Sequence, residues 1–170
     1  LAGRLLKDKG IDDYLTLSKN FNKQNVNFFL AGDLDIGNPK SLSQNELDII
    51  KEDSSLNYLG YIDLQKELHN YDLLLSLSDH EGFSRVLLEA MYVGLFVVAY
   101  ENNGTTYIDN FDNTILLNSK NKNNLEDTIN KFLTQEKFVS KQNRKQIEIS
   151  YSTQKVASQF ANIYNKKNEG

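Results

Sequence analysis

Short apolar runs alternate with longer stretches of helical periodicity along the first two thirds of the chain. Val26–Ala31 (VNFFLA), Leu56–Tyr61 (LNYLGY), Asp72–Leu77 (DLLLSL) and Leu95–Tyr100 (LFVVAY) have strand length, and Thr114–Leu117 (TILL) is a weaker fifth. Leu1–Leu6 reads as the end of a further strand. Between these runs, apolar residues recur at helical spacing over 12–22, 43–53, 63–70 and 83–94, with Asp12 and Ser43 as expected N-caps. Beyond residue 122 the pattern is wholly helical, in about three segments reaching residue 166. Strands that are apolar throughout, separated by helices, predict a parallel sheet covered on both faces. The expected fold is therefore α/β: a Rossmann-like, doubly wound parallel sheet with a helical C-terminal tail, in a single domain over 1–170. Such sheets bind ligands beyond the carboxyl ends of their strands, where strand order reverses. Here those ends carry Arg4, Gly32-Asp33, Gly60-Tyr61, Ser78–Glu81 and Tyr100–Gly104.

Composition narrows the chemistry. The absence of Cys removes disulfides, thiolate nucleophiles and Cys-based metal sites, and only two His, at 69 and 80, exclude a three-histidine metal site. A net charge of −4 argues against coating nucleic acid. No apolar run approaches the roughly 20 residues that a membrane-spanning helix needs. Arg occurs three times against 16 Lys and 21 Asn, a bias that fits AT-rich coding and a low-GC bacterium and that makes each Arg informative. Neither G-x-G-x-x-G nor G-x-x-x-x-G-K-S/T occurs, so the dinucleotide and P-loop fingerprints are missing.

The richest segment is Ser78–Gly94, SDHEGFSRVLLEAMYVG. A strand ends, Gly82 turns the chain, and a helix begins near Phe83 or Ser84, presenting unpaired N–H groups and partial positive charge to the strand ends, an arrangement suited to phosphate. Val86, Leu87, Leu88, Ala90, Met91 and Val93 cover nearly the whole circumference, which predicts a buried helix with Glu89 in its middle. Glu89 either pairs with Arg85 at i,i+4 or accepts hydrogen bonds from a vicinal diol. Glu81 precedes the helix, and its side chain is expected to face the same cleft. Arg4 and Lys9 straddle a strand–helix loop and offer a planar fork and a point charge to phosphate oxygens, or are simply solvated. Asp33-x-Asp35 resembles a metal-binding D-x-D, but turn-forming and capping roles are commoner. His80 is a candidate acid or base, but one His beside a loop Glu is more often a polar surface residue.

Together these segments resemble the C-terminal, donor-binding half of a GT-B glycosyltransferase of family 4. The matches run in order through Gly3-Arg4-Leu5, Lys9-Gly10, Leu30–Asp33, Leu59-Gly60, Ser78, Glu81–Phe83, Leu88–Met91 with Gly94, Val97–Ala99 and Gly104. Glu81 and Glu89 reproduce the family's E-x7-E spacing. The stretch from Asp33 to Pro39 further resembles the branch that adds N-acetylhexosamines to lipid-diphosphate-linked glycans. The resemblance implies that Arg4 and Lys9 clamp the donor diphosphate in place of a metal and that Glu81 contacts the donor sugar near its reacting carbon. It implies that Glu89 holds the ribose hydroxyls, that Gly82, Phe83, Ser84 and Arg85 meet the distal phosphate or the sugar, that Tyr61 and Ile62 cover the base, and that Gly104 borders the sugar.

The implied activity is transfer of a hexose or N-acetylhexosamine, with retention, from a UDP-linked donor to a glycan or lipid-linked acceptor in bacterial surface polysaccharide or glycan assembly. No metal or other cofactor is implied. The acceptor site is expected on an N-terminal domain outside this chain, so the chain alone is expected to bind donor without transferring it, and the whole protein to be cytoplasmic, at the inner face of the membrane. Departures from the family pattern are Phe96 for Pro, Tyr92 for a small residue, Ser84 for Gly or Pro, Asn103-Gly104 for Gly-Gly, and Tyr107 where Glu is common. Val156, Phe160, Ile163 and Tyr164 form a stripe expected to face the N-terminal half. The competing readings are a GT-B nucleotide-sugar epimerase and a non-catalytic, receiver-like α/β module.

Overall fold

A computed structural model describes residues 1–118, 123–134 and 141–158. The strands are β1 (Phe29–Ala31), β2 (Asn57–Gly60), β3 (Leu73–Ser76), β4 (Phe96–Tyr100) and β5 (Thr114–Leu117). The helices are α1 (Ile11–Phe21), α2 (Gln44–Glu52), α3 (Leu64–Glu67), α4 (Arg85–Val93), α5 (Asn123–Thr134) and α6 (Lys141–Tyr151), with 3-10 turns at 7–9, 68–70 and 106–110. The α/β fold is as expected, and every paired strand is parallel. Of the expected C-terminal stripe, Val156 is partly exposed, whereas Phe160, Ile163 and Tyr164 lie outside the described residues.

The alternation of the strands explains the layering. In β3 and β4, Leu75, Val98 and Tyr100 pack with Ile11, Tyr14 and Leu17 of α1, Leu47 and Ile50 of α2, and Leu125 and Ile129 of α5. Leu74, Val97 and Ala99 point the other way, onto Leu87, Ala90 and Met91 of α4 and Ile147 of α6. Neighbouring residues of one strand thus serve opposite cores, so the strands carry no polar face.

Three expectations are corrected. The sheet is not continuous: its ladders run β1-β2 and β3-β4-β5. Leu1–Leu5 lies parallel beside β1, through Gly3 N–H to Ala31 O and Leu5 N–H to Asp33 O, both 3.0 Å, but has no ladder to β3. A mostly apolar cavity of about 360 Å³, lined by Leu1, Phe29, Tyr71 and Leu73 among others, lies between the two sheets. Second, Asp12 does not cap α1. The helix starts at Ile11 after Gly10, whose φ of 68° is left-handed. A side chain at Gly10 would meet the Leu77 carbonyl oxygen at 2.1 Å, so close packing on the end of β3 fixes where α1 begins. Asp12 and Asp13 instead fall in the first turn, favourably placed for the helix dipole. Third, α4 is not buried all round: Leu87, Ala90 and Met91 are buried, but Val93 is exposed, because the covering turns and α6 reach one side only. Ser43 does cap α2, in a full capping box with Glu46.

Candidate active site

The first strand-like segment and β3 are flanked by a cleft of about 250 Å³, lined by Gly3, Arg4, Lys9, Ser78, Glu81, Phe83, Ser84, Arg85 and Val86 among others. It sits at the carboxyl ends, where the chain crosses from one sheet to the other. Close approaches build it. Gly10 lets the loop carrying Lys9 lie against Leu77, and Asp79 N–H bonds to Asp8 O at 3.1 Å. Lys9 Nζ therefore reaches Glu81 Oε1 at 2.6 Å, with the two side chains only 18% and 19% exposed. Ser78 Oγ donates to the same oxygen at 3.1 Å. A carboxylate so covered needs such donors, since burial without them costs several kcal/mol, roughly 3–5 when a partner is lost from a fully buried pair.

Arg4 is more open and binds Asp35 Oδ2 at 2.6 Å. Asn38 Nδ2 donates to that oxygen at 2.9 Å, and the Asn38 amide together with the Arg4 guanidinium holds the Asp35 carboxyl below its ordinary range. Asp35 of the D-x-D is thus a counter-ion, and among the described residues no group of three or more His, Asp or Glu is placed to hold a metal. His80 is exposed.

At the head of α4, Ser84 takes the N-cap position without a side-chain cap bond. The first turn of α4 therefore carries no side-chain cap, and its residues Ser84, Arg85 and Val86 line the cleft together with Lys9 and Arg4. Arg85 is largely exposed, and its Nη2 lies 3.4 Å from Glu89 Oε1. Glu89, one turn into α4, is half-buried and does not line the cleft. Gly82 is an exposed turn residue with open space around it. Gly104 is different: a side chain there would meet the Glu81 carbonyl oxygen at 2.2 Å, so this glycine lets the loop after β4 press on the Glu81 loop. Tyr61 is 81% exposed and Ile62 lines the apolar cavity, so neither expected base-covering residue faces the cleft in this structure.

Two organising residues had little sequence signal. Asn102 donates to Ser78 O at 2.9 Å and accepts from Gly104 N–H at 2.9 Å, tying the two loops around Glu81. An Asn two residues before a Gly at a strand end marks a turn but not its partner. Tyr107 donates its hydroxyl to Ser84 O at 2.7 Å, and only its departure from the family pattern set it apart.

The chain is a parallel, two-faced α/β domain with a cleft that gathers Arg4 and Lys9 at the crossover between its sheets, the place where open α/β sheets hold their ligands. Residues 1–153 match the sequence model of the glycosyl transferases group 1 family, and the chain belongs to that family. No curated protein matches the chain. Among solved structures, TarM of S. aureus is 25% identical at a TM-score of 0.78, over 97% of this chain and 34% of its own. HepE of Anabaena, solved in complex with UDP-glucose, is 19% identical at 0.79, over 97% and 48%. The C-terminal domain of a glycosyl transferase group 1 protein (LpcC) from Francisella tularensis is 18% identical at 0.70, over 90% and 84%. The fold is that of the C-terminal domain of GT-B glycosyltransferases. The chain spans a third to a half of the length of TarM and HepE.

Proposed function

We propose that this chain is the donor-binding wall of a retaining glycosyltransferase that takes a hexose or N-acetylhexosamine from a UDP-linked donor. The observation that carries the reading is the meeting, in one cleft, of Arg4, Lys9, the open first turn of α4 and Glu81. Breaking a sugar–diphosphate bond builds negative charge on the departing phosphate and positive charge on the sugar carbon. Lys9, Arg4 and the α4 N–H groups stabilise the first, and the Glu81 carboxylate the second. Each cation holds a carboxylate in the structure, Asp35 on Arg4 and Glu81 on Lys9. The donor diphosphate replaces Asp35 as the anion on Arg4 and shares Lys9 with Glu81, which needs no metal ion. Glu89 lies beside the cleft and not in its lining, so it takes the ribose hydroxyls of a donor that extends past the cleft along α4, giving up its exposed Arg85 partner. UDP is favoured over GDP by the UDP-glucose bound to the HepE structure. The acceptor, a glycan or lipid-linked glycan, is held by a second domain, so this chain alone binds donor and does not transfer it.

Isothermal titration with UDP, GDP and UDP-N-acetylglucosamine, with and without EDTA, tests the reading. The expected result is UDP binding that survives EDTA and is lost in Glu89→Ala. Absence of binding for every nucleotide, or binding abolished by EDTA, refutes it.

A further inference from the structure

Tyr107 does not line the cleft, yet it touches the cleft wall from behind. Its hydroxyl donates to the Ser84 carbonyl at 2.7 Å, and its ring stacks on that of Phe83 at 4.8 Å with 25° between the planes. Behind it Tyr151 of α6 approaches both rings, at 5.8 Å from Tyr107 and 5.9 Å from Phe83. Phe83 is half exposed and lines the cleft beside Glu81, so a ring that water alone would leave mobile is pinned by an aromatic cluster. The Ser84 carbonyl and the Arg85 N–H belong to one planar peptide and point in opposite directions across a trans bond. A phenol that holds the carbonyl therefore sets the direction of the first N–H of α4.

We infer that Tyr107 is a positioning residue for the distal phosphate of the donor: it fixes the Ser84–Arg85 peptide and the Phe83 ring so that the first turn of α4 meets that phosphate in one orientation. The inference rests on the donor-site reading above and adds to it a residue that touches no ligand. Burial raises the pKa of the Tyr107 hydroxyl well above its ordinary value, with the Tyr151 hydroxyl and the Glu81 carboxylate adding to the effect, so it stays a proton donor at any working pH.

UDP and UMP differ by the distal phosphate alone, which makes their ratio of affinities the readout. Titration of both into wild type and Tyr107→Phe, which deletes only the hydroxyl, is expected to show UDP affinity falling about fivefold and UMP affinity unchanged. Amide NMR on the same samples is expected to show the Arg85 N–H moving on addition of UDP in wild type and much less in the variant. An equal loss for both ligands makes Tyr107 a packing residue only and overturns the inference, as does no loss for either. Should Tyr107→Phe lower the melting temperature, Phe83→Leu supplies a second test, because it removes the stacked ring and leaves the hydroxyl bond. It is expected to weaken UDP more than UMP, and equal weakening counts against the inference. Wild type that binds neither ligand instead refutes the donor-site reading, before any variant is compared.

Discussion

At the scale of single residues, the contact between Lys9 and Glu81 is the one on which the site depends. Each side chain is about four-fifths covered, and neither can lose the other cheaply. Lys9→Met leaves Glu81 with only the Ser78 hydroxyl. It is expected to cost about 1–3 kcal/mol of stability, measured by urea unfolding, and to weaken UDP binding at least tenfold. Adding Glu81→Gln removes the orphaned charge. The double variant is therefore expected to recover most of the stability and none of the affinity, and recovery of both would mean that the pair is structural alone. Arg4, Lys9 and Glu81, which the structure brings into one cleft, were singled out in the sequence by residue type at strand ends together with the family resemblance. Asp35, Asn102 and Tyr107 were not, because their roles come from partners 31, 24 and 23 residues away, and local pattern carries no information about such pairs. Glu89 shows the reverse: its spacing from Glu81 was plain in the sequence, but the structure pairs it with Arg85 and holds it off the cleft.

At the scale of elements, periodicity located every strand and each helix up to α4 because each must bury one fixed set of side chains. Boundaries were read less well where a tertiary contact overrides local preference. Gly10 begins α1 two residues ahead of where the acids implied, because no other residue fits against Leu77. The break between the two sheets was invisible, since an apolar run of strand length does not say which neighbour will complete its ladder. α2 is the opposite case, with its start written locally. Ser43 Oγ accepts from Glu46 N–H at 3.2 Å, and Glu46 Oε2 accepts from Ser43 N–H at 2.7 Å. Ser43→Ala is expected to destabilise the protein by about 1 kcal/mol in thermal or urea unfolding. α2 contributes nothing to the cleft lining, so UDP affinity should not change. A loss of affinity with unchanged stability would contradict this separation of fold from site.

At the scale of the whole molecule, the carboxylates that tie loops to helices give stability a definite dependence on pH. Asp8 is held below its ordinary 3.8 chiefly by its hydrogen bond to Lys40, Asp53 by the Ser55 hydroxyl and amide, and Asp35 by Asn38 and Arg4. Glu46 is held below its ordinary 4.5 by the Ser43 cap. A group whose folded pKa is lowered contributes stability above its unfolded pKa and loses it as pH falls through the folded value. All four contributions are therefore complete near neutrality, begin to fade below about pH 4.5, and vanish together in stronger acid. The melting temperature is expected to fall steadily below that point, and Asp53→Asn should flatten part of the fall. Asp35 adds a connection to function, because the same acid lowers the charge facing Arg4. If Asp35 is the anion that a diphosphate must displace, Asp35→Asn should tighten UDP binding at neutral pH even as it removes an ion pair from the folded state. Gain of affinity with some loss of stability is the outcome that follows from competition for Arg4. Weaker binding would instead make Asp35 a support that holds Arg4 in place, and the cleft of the free protein would then already be set for its ligand.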